Sequence, residues 1–198
     1  MTPLLVATGN PGKLRELRAL VAGLPLEVVG PADVGLDLEV DETGDTLEAN
    51  ARLKAVACAA ASGLPALADD SGLEVDALGG EPGVRSARWV PGSDADRVRA
   101  LLVALEAVPR EARTARFRSV VALAWPDGRV ETATGTVEGR IASAPRGAGG
   151  FGYDPVFLVE DGGLDGTRTM AELAAEEKGR LSHRARAGAG LQEALATV

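Results

Sequence analysis

Two strand-like runs, RFRSVVALAW at 116–125 and RVETATGTVEG at 129–139, flank Pro126-Asp127-Gly128, and no other feature narrows the possible folds as much. Pro-Asp-Gly between apolar, β-branched segments is a turn signal, so the two runs are expected to pair as one long hairpin. The N-terminal half follows a different pattern. PLLVATG at 3–9 reads as a short buried strand, and Asn10-Pro11 as a helix start with Asn as cap and Pro at the first helical position. Leu14, Leu17, Leu20 and Val21 then fall on one helical face. LEVVG at 26–30 reads as a second strand, followed by the acidic loop GLDLEVDETGDT at 35–46. Residues 46–62 read as an alanine-rich helix ended by Gly63-Leu64-Pro65. PALAD at 65–69 is a third apolar run, and it stops on two carboxylates. Val98, Leu101, Leu102 and Leu105 mark an amphipathic helix, DPVFLVE a late strand, and helices near 169–178 and 184–196 close the chain. Strand–helix alternation followed by a hairpin predicts an α/β fold with a mixed sheet.

The 198 residues suit one domain, or one domain with two closely joined lobes. A net charge of −8 argues against a nucleic-acid partner, whose phosphates need clustered Lys and Arg, but leaves room for a small anion in a local basic pocket. The single Cys58, in AVACAAASG, excludes an intramolecular disulfide and reads as buried in a reducing compartment. No apolar run approaches the ~20 residues of a membrane span, and no signal peptide is evident, so a cytoplasmic location is expected. Of 21 basic residues, 18 are Arg and three are Lys: Lys13, Lys54 and Lys178. A position that stays Lys in such a chain is a candidate for needing a compact ammonium.

Four segments can carry chemistry. Thr8-Gly9-Asn10-Pro11-Gly12-Lys13 lies between a strand and a helix, where exposed amides, a hydroxyl and an ammonium favour an anion. It is not a Walker A loop, since Ala7 and Leu14 stand where that motif needs Gly and Ser or Thr; a plain capped helix start is the alternative. Asp69-Asp70-Ser71-Gly72 puts adjacent carboxylates at a strand end, pointing to opposite sides. With Glu42 from the acidic loop they offer hard oxygen ligands suited to Mg²⁺, although an Asx turn explains the same letters. Gly149-Gly150-Phe151-Gly152-Tyr153-Asp154-Pro155 gathers two of the few aromatic residues in a glycine-rich loop. A ring there is open to base stacking, and Asp154 to a base edge, unless the loop is only a tight turn. Lys178-Gly179-Arg180-Leu181-Ser182-His183-Arg184 contains the only histidine, which has no company for a zinc site.

Taken together, LLVATGNPGKLREL, DETGDTLEANARLKA, LPALADDSGLEVDALGGEPGVRSARW, GGFGYDPVF and MAELAAEEKGRLSHRARA resemble the inosine triphosphate pyrophosphatase family, also called Ham1 or RdgB-type. The resemblance spans nearly the whole chain in family order. It implies a two-lobed α/β/α fold with a long central mixed sheet, the active cleft between lobes, a homodimer and a Mg²⁺ requirement. It implies that Thr8, Asn10 and Lys13, with the backbone of Gly9, Pro11 and Gly12, hold the triphosphate, and that Lys54 helps neutralise it. Glu42 and Asp70 would bind Mg²⁺, Asp70 being the better candidate over Asp69 for activating water, and Ser71 would touch substrate beside the metal. Phe151, with Gly152 and Tyr153, would stack on the purine, while Asp154, Lys178, His183 and Arg184 surround its edge and sugar. Two positions depart from the family: Ala49 stands where a glutamate usually precedes Asn50, and Trp89 replaces a commoner tyrosine. The implied activity is hydrolysis of inosine and xanthosine triphosphates (ribo and deoxy) to monophosphate and pyrophosphate. A pyrophosphatase for modified pyrimidine nucleotides and a non-catalytic nucleotide-binding regulator are the competing readings.

Overall fold

The computed structural model describes residues 1–38 and 40–198; Glu39, in the acidic loop, lies outside the described residues. β1 (Thr2–Val6), α1 (Pro11–Leu20), β2 (Leu26–Val29), α2 (Leu47–Ser62) and β3 (Ala66–Val75) make up the alternating half. They are followed by α3 (Asp94–Ala104), the strands β4 (Thr114–Ala124) and β5 (Val130–Ile141), and β6 (Phe157–Val159). The chain closes with α4 (Ala175–Leu181), α5 (His183–Ala189) and α6 (Gln192–Leu195).

Among the described residues the strands form one six-stranded sheet in the order β2-β1-β3-β4-β5-β6. β1 pairs in parallel with β2 (Leu4 opposite Val28) and with β3 (Leu5 opposite Ala66), whereas β5 and β6 are antiparallel. β4 and β5 are neighbours joined only by Trp125–Arg129, too short a link for a crossover, so they form the expected hairpin. Its turn is closed by Gly128 N–H on Trp125 O and Trp125 N–H on Arg129 O, both 3.0 Å. The mixed α/β sheet read from the sequence is present.

Local chemistry explains most element ends. Asn10 caps α1, its Oδ1 accepting from the Gly12 and Lys13 amides, and Thr46 caps α2 by accepting from Ala49 N–H. Gly63 ends α2 in the left-handed region at φ 69°. Two expectations need correction. β3 does not stop at the carboxylates but runs on through Asp69, Asp70 and Ser71 to Val75. The helix expected near 169–178 is a single 3₁₀ turn at Met170–Glu172, followed by α4, and the one expected over 184–196 is interrupted between α5 and α6.

The chain divides into two compact units, one of residues 1–70, 119–135 and 183–198, the other of residues 71–118 and 136–182. Leu4, Val6, Leu17, Leu67, Val121, Leu123 and Leu195 build the core of the first. Leu73, Leu101, Phe117, Val137, Phe157 and Met170 build the core of the second, where the Phe117 and Phe157 rings meet at 4.5 Å. Cys58 is buried, as expected. Trp89 packs against the second core, in keeping with a packing role. Among the described residues no helix is long and apolar enough to cross a membrane.

Candidate active site

The residues expected to handle substrate divide between the two units. In the first, β1 delivers Thr8–Lys13 to the start of α1. Asn10 N–H donates to Thr8 Oγ1 at 3.2 Å, and Asn10 Oδ1 holds the Gly12 amide at 2.8 Å. The capped helix start is therefore formed, with the Lys13 ammonium turned to Asp69 Oδ2 at 3.2 Å. Gly9 has neither a positive φ nor a crowded Cβ position, so folding alone does not call for glycine there.

The adjacent carboxylates of β3 face different surroundings, as strand alternation requires. Asp69, 1% exposed, accepts from Arg184 Nε and Nη2 at 2.9 Å each and lies 3.2 Å from Lys13 Nζ. Arg184 is wholly buried and also donates to Glu16 on α1. Burial alone raises the Asp69 pKa, but Arg184 and Lys13 outweigh it and hold the carboxyl well below the usual range. Asp69 is thus a permanent anion engaged in ion pairs, a poor proton acceptor.

Asp70 has the opposite character. Burial pushes its pKa up, and Lys54 and a hydrogen bond from Asn50 offset this only in part. Asn50 Nδ2 donates to Asp70 Oδ2 at 3.0 Å, while Asn50 Oδ1 accepts from Gly44 N–H at 2.8 Å, pinning the acidic loop. One turn along α2, Lys54 Nζ lies 2.5 Å from Glu42 Oε1 and 4.0 Å from Asp70 Oδ1. Two carboxylates therefore converge on one cation. Among the described residues no group of three or more His, Cys, Asp or Glu side chains is arranged to hold a metal. A two-carboxylate set fits Mg²⁺, which commonly takes one or two protein carboxylates and completes its shell with water and phosphate oxygens. Ala49 packs against Gly44 of the acidic loop, where an added Cβ would come within 2.6 Å of the Ala49 Cβ.

His183, buried, opens α5 in the same unit as Asp70, and its carbonyl closes against Gly135. Ser71 follows Asp70 along β3 and is half-buried.

In the second unit the glycine-rich loop is tied down residue by residue. Phe151 N–H donates to Asp154 Oδ2 at 2.8 Å, and Lys178 Nζ donates to the same oxygen at 2.6 Å. The Lys178 ammonium also sits 4.7 Å from the Phe151 ring centroid, a cation–π contact on one face. Gly152, at φ 62°, donates its N–H to Asp94 Oδ2 at 2.7 Å. Tyr153 is a core residue rather than an open ring: it is buried, its hydroxyl donates to Ser86 O at 3.1 Å, and burial pushes its pKa up to about 12.

The structure thus brings Asp69, Arg184, Lys13 and Glu16 together, and separately Asp70, Asn50, Lys54 and Glu42. In the second unit it joins Phe151, Asp154 and Lys178. Glu16, Asn50 and Asp94 were not among the site residues expected from sequence. Glu16 and Asn50 carried a usable signal, since each lies on a helix one turn from a flagged lysine or its cap, but Asp94 carried none.

A sequence model of the Ham1 family matches residues 4–194. The chain belongs to the Ham1 family. Among curated Ham1 relatives, a dITP/XTP pyrophosphatase of Symbiobacterium thermophilum is 60% identical over 195 residues, covering 97% of this chain and 94% of that protein. A dITP/XTP pyrophosphatase of Thermus thermophilus is 52% identical, with coverages of 96% and 90%. Among solved structures, a HAM1 protein from Coxiella burnetii superposes with a TM-score of 0.87 at 39% identity, covering all of both chains. A nucleoside-triphosphatase / dITP/XTP pyrophosphatase from Mycobacterium abscessus gives 0.74 at 48% identity, with coverages of 96% and 99%.

Proposed function

We infer that this Ham1-family chain acts as one catalytic domain that hydrolyses non-standard purine nucleoside triphosphates, the ribo and deoxy forms of inosine and xanthosine triphosphate, to monophosphate and pyrophosphate. The observation that carries the chemistry is the opposed tuning of two neighbouring carboxylates. Asp69 is held anionic by Arg184 and Lys13, whereas Asp70 is buried, raised in pKa and aimed at Lys54 and Asn50. Pairs of carboxyl groups pushed apart in this way commonly divide structural and proton-accepting roles. Asp70 accepts the proton of the attacking water, and Asn50 fixes the orientation of its carboxylate. Lys13 and the Thr8 hydroxyl bind phosphate oxygens, and Lys54 neutralises charge as pyrophosphate departs. Glu42 and Asp70 are the residues that would hold Mg²⁺, which supplies further neutralisation of the phosphate oxygens when bound.

Phe151, whose ring already meets the Lys178 ammonium, stacks on the purine. The 6-oxo group of hypoxanthine and xanthine is an acceptor, and adenine presents a donor there, so a buried donor in the site discriminates strongly. His183 and Arg184, both buried, are the candidate donors, Arg184 being also engaged by Asp69 and Glu16. The family resemblance also implies a homodimer, a reading supported by the exposed Leu53 and Val56 on α2. The free, buried Cys58 supports a reducing, cytoplasmic setting.

The test is pyrophosphate release from a panel of nucleoside triphosphates at fixed Mg²⁺. Inosine and xanthosine forms should turn over well ahead of ATP and GTP. Turnover confined to modified pyrimidines, binding without turnover, or orthophosphate as the first product would each overturn the assignment.

A further inference from the structure

Helix α3 begins with more anchoring than a helix needs. Ser93 caps it by accepting from Asp96 N–H, and the Asp96 carboxylate accepts in return from Ser93 N–H at 2.8 Å, completing a capping box. The carboxylate of Asp94, the first helical residue, is therefore not required as a cap. It reaches instead to a loop 58 residues further along the chain, where its Oδ2 accepts from Gly152 N–H at 2.7 Å. Its Oδ1 is gripped from the other side by Arg97 Nη2 at 2.6 Å, and Arg97 Nη1 is itself fixed on Gly92 O at 2.9 Å. This charge-assisted bond, its acceptor held by a second residue, fixes the amide although the Asp94 side chain is half-exposed.

What the tether holds is the residue after Phe151. Phe151 N–H is fixed by Asp154, Gly152 N–H by Asp94, and the Tyr153 hydroxyl by Ser86 O. Gly152 has a left-handed φ of 62°, a conformation open to several alternatives in a free glycine. Releasing its amide frees the peptide that sets the direction of the Phe151 ring, although Asp154 and Tyr153 keep the loop attached.

We propose that Asp94 is a positioning residue for base recognition, holding the Phe151 ring in its stacking pose through the Gly152 amide. The proposal rests on the reading above that Phe151 stacks on the purine. The carboxylate of Asp94 is engaged by Gly152 N–H and Arg97, so on this proposal its influence runs through the loop that carries Phe151.

The experiment measures kcat and KM for inosine triphosphate, and the inhibition constant of pyrophosphate, in Asp94→Ala, Asp94→Asn, Phe151→Ala and the Asp94→Ala/Phe151→Ala double variant. Asp94→Ala should raise KM about 10-fold with kcat held within about twofold, the loss expected for one charge-assisted hydrogen bond. Asp94→Asn keeps an oxygen for Gly152 N–H and should recover most of that loss. Pyrophosphate inhibition should not change. In the Phe151→Ala background, Asp94→Ala should have no further effect, because the ring it positions is gone. Equal KM factors in both backgrounds, a parallel weakening of pyrophosphate, or failure of Asn to rescue would overturn the proposal, since a general structural defect gives those results. Should Phe151→Ala leave KM unchanged, the stacking assignment itself is wrong. Should Phe151→Ala raise KM while Asp94→Ala does not, only the role of Asp94 falls.

Discussion

Replacing Arg184 with glutamine perturbs the buried charge cluster at its centre. The guanidinium, wholly buried, places Nε and Nη2 2.9 Å from Asp69 Oδ2 and Nη1 on Glu16. Glutamine keeps a polar end without the charge or the reach, so Asp69 would retain Lys13, at 3.2 Å, as its ion-pair partner. Removing one member of a buried pair costs about 3–5 kcal/mol when the other charge is left without compensation, and with Lys13 still present the lower end, about 3 kcal/mol, applies. A folded chain has about 5–15 kcal/mol in all, so the variant should fold with a thin margin and melt about 10 °C lower. The loss has a pH signature. In the parent, the Asp69 pKa is depressed despite burial, which gives stability that is present above the unfolded value of about 3.9 and lost only as pH falls through the folded one. Without Arg184 the balance tips to burial, the folded pKa rises, and the charged carboxylate destabilises the variant at neutral pH. Acidification protonates it and removes that penalty. The stability gap between parent and variant should therefore be full near pH 7 and shrink as pH falls towards about 4. Urea denaturation over a pH series measures it, and Arg184→Gln combined with Asp69→Asn should recover about half of the loss. The reasoning fails with a neutral-pH gap under about 1 kcal/mol, the size of a surface pair. It also fails if the gap does not narrow in acid, or if the double variant is no better than the single.

Asp70→Asn should keep the fold, checked by circular dichroism, while lowering kcat by about 100-fold or more, as loss of a general base does. Because burial raises the pKa of metal-free Asp70 and Lys54 opposes that rise, protons should compete with Mg²⁺, so the Mg²⁺ concentration giving half-maximal rate should climb as pH drops. Lys54→Met should make that climb begin at higher pH. Glu42→Gln should raise the Mg²⁺ concentration giving half-maximal rate more than it lowers the saturated rate, read from a metal titration. Tyr153→Phe removes the hydroxyl from Ser86 O and should cost about 1 kcal/mol in urea denaturation, with little change in KM.

What could be read from sequence was local. The Asn10 cap, the left-handed Gly63 and the Pro-Asp-Gly turn each involve residues within a few positions of one another, and the structure has all three. The end of β3 was misjudged because charge interrupts an apolar run. Asp69 and Asp70 continue the strand since their partners, Arg184 and Asn50, come from distant segments and make burial tolerable. The C-terminal helix pattern hid its interruptions for a related reason. Gly190 packs against Ala133, and Thr169 closes a capping box with Glu172, so contacts rather than periodicity decide where those helices begin and end. The four segments did contain Asp70, Phe151, Asp154 and Lys178, but not Asn50 or Asp94, nor the division of labour between Asp69 and Asp70. That division depends on which carboxylate meets Arg184, a pairing 115 residues apart that no spacing rule reveals.

That distance also sets an order of events during synthesis. The first unit is completed by residues 183–198, and Arg184, among them, is made 115 residues after Asp69. Asp69 is made long before its main counter-charge and cannot be buried as a carboxylate at a tolerable cost until that partner arrives. β3, which carries both Asp69 and Asp70, therefore settles only after residue 184 has been made. A chain cut short before His183 lacks the guanidinium that pairs with Asp69, and β3 should then be the strand most open to proteolysis.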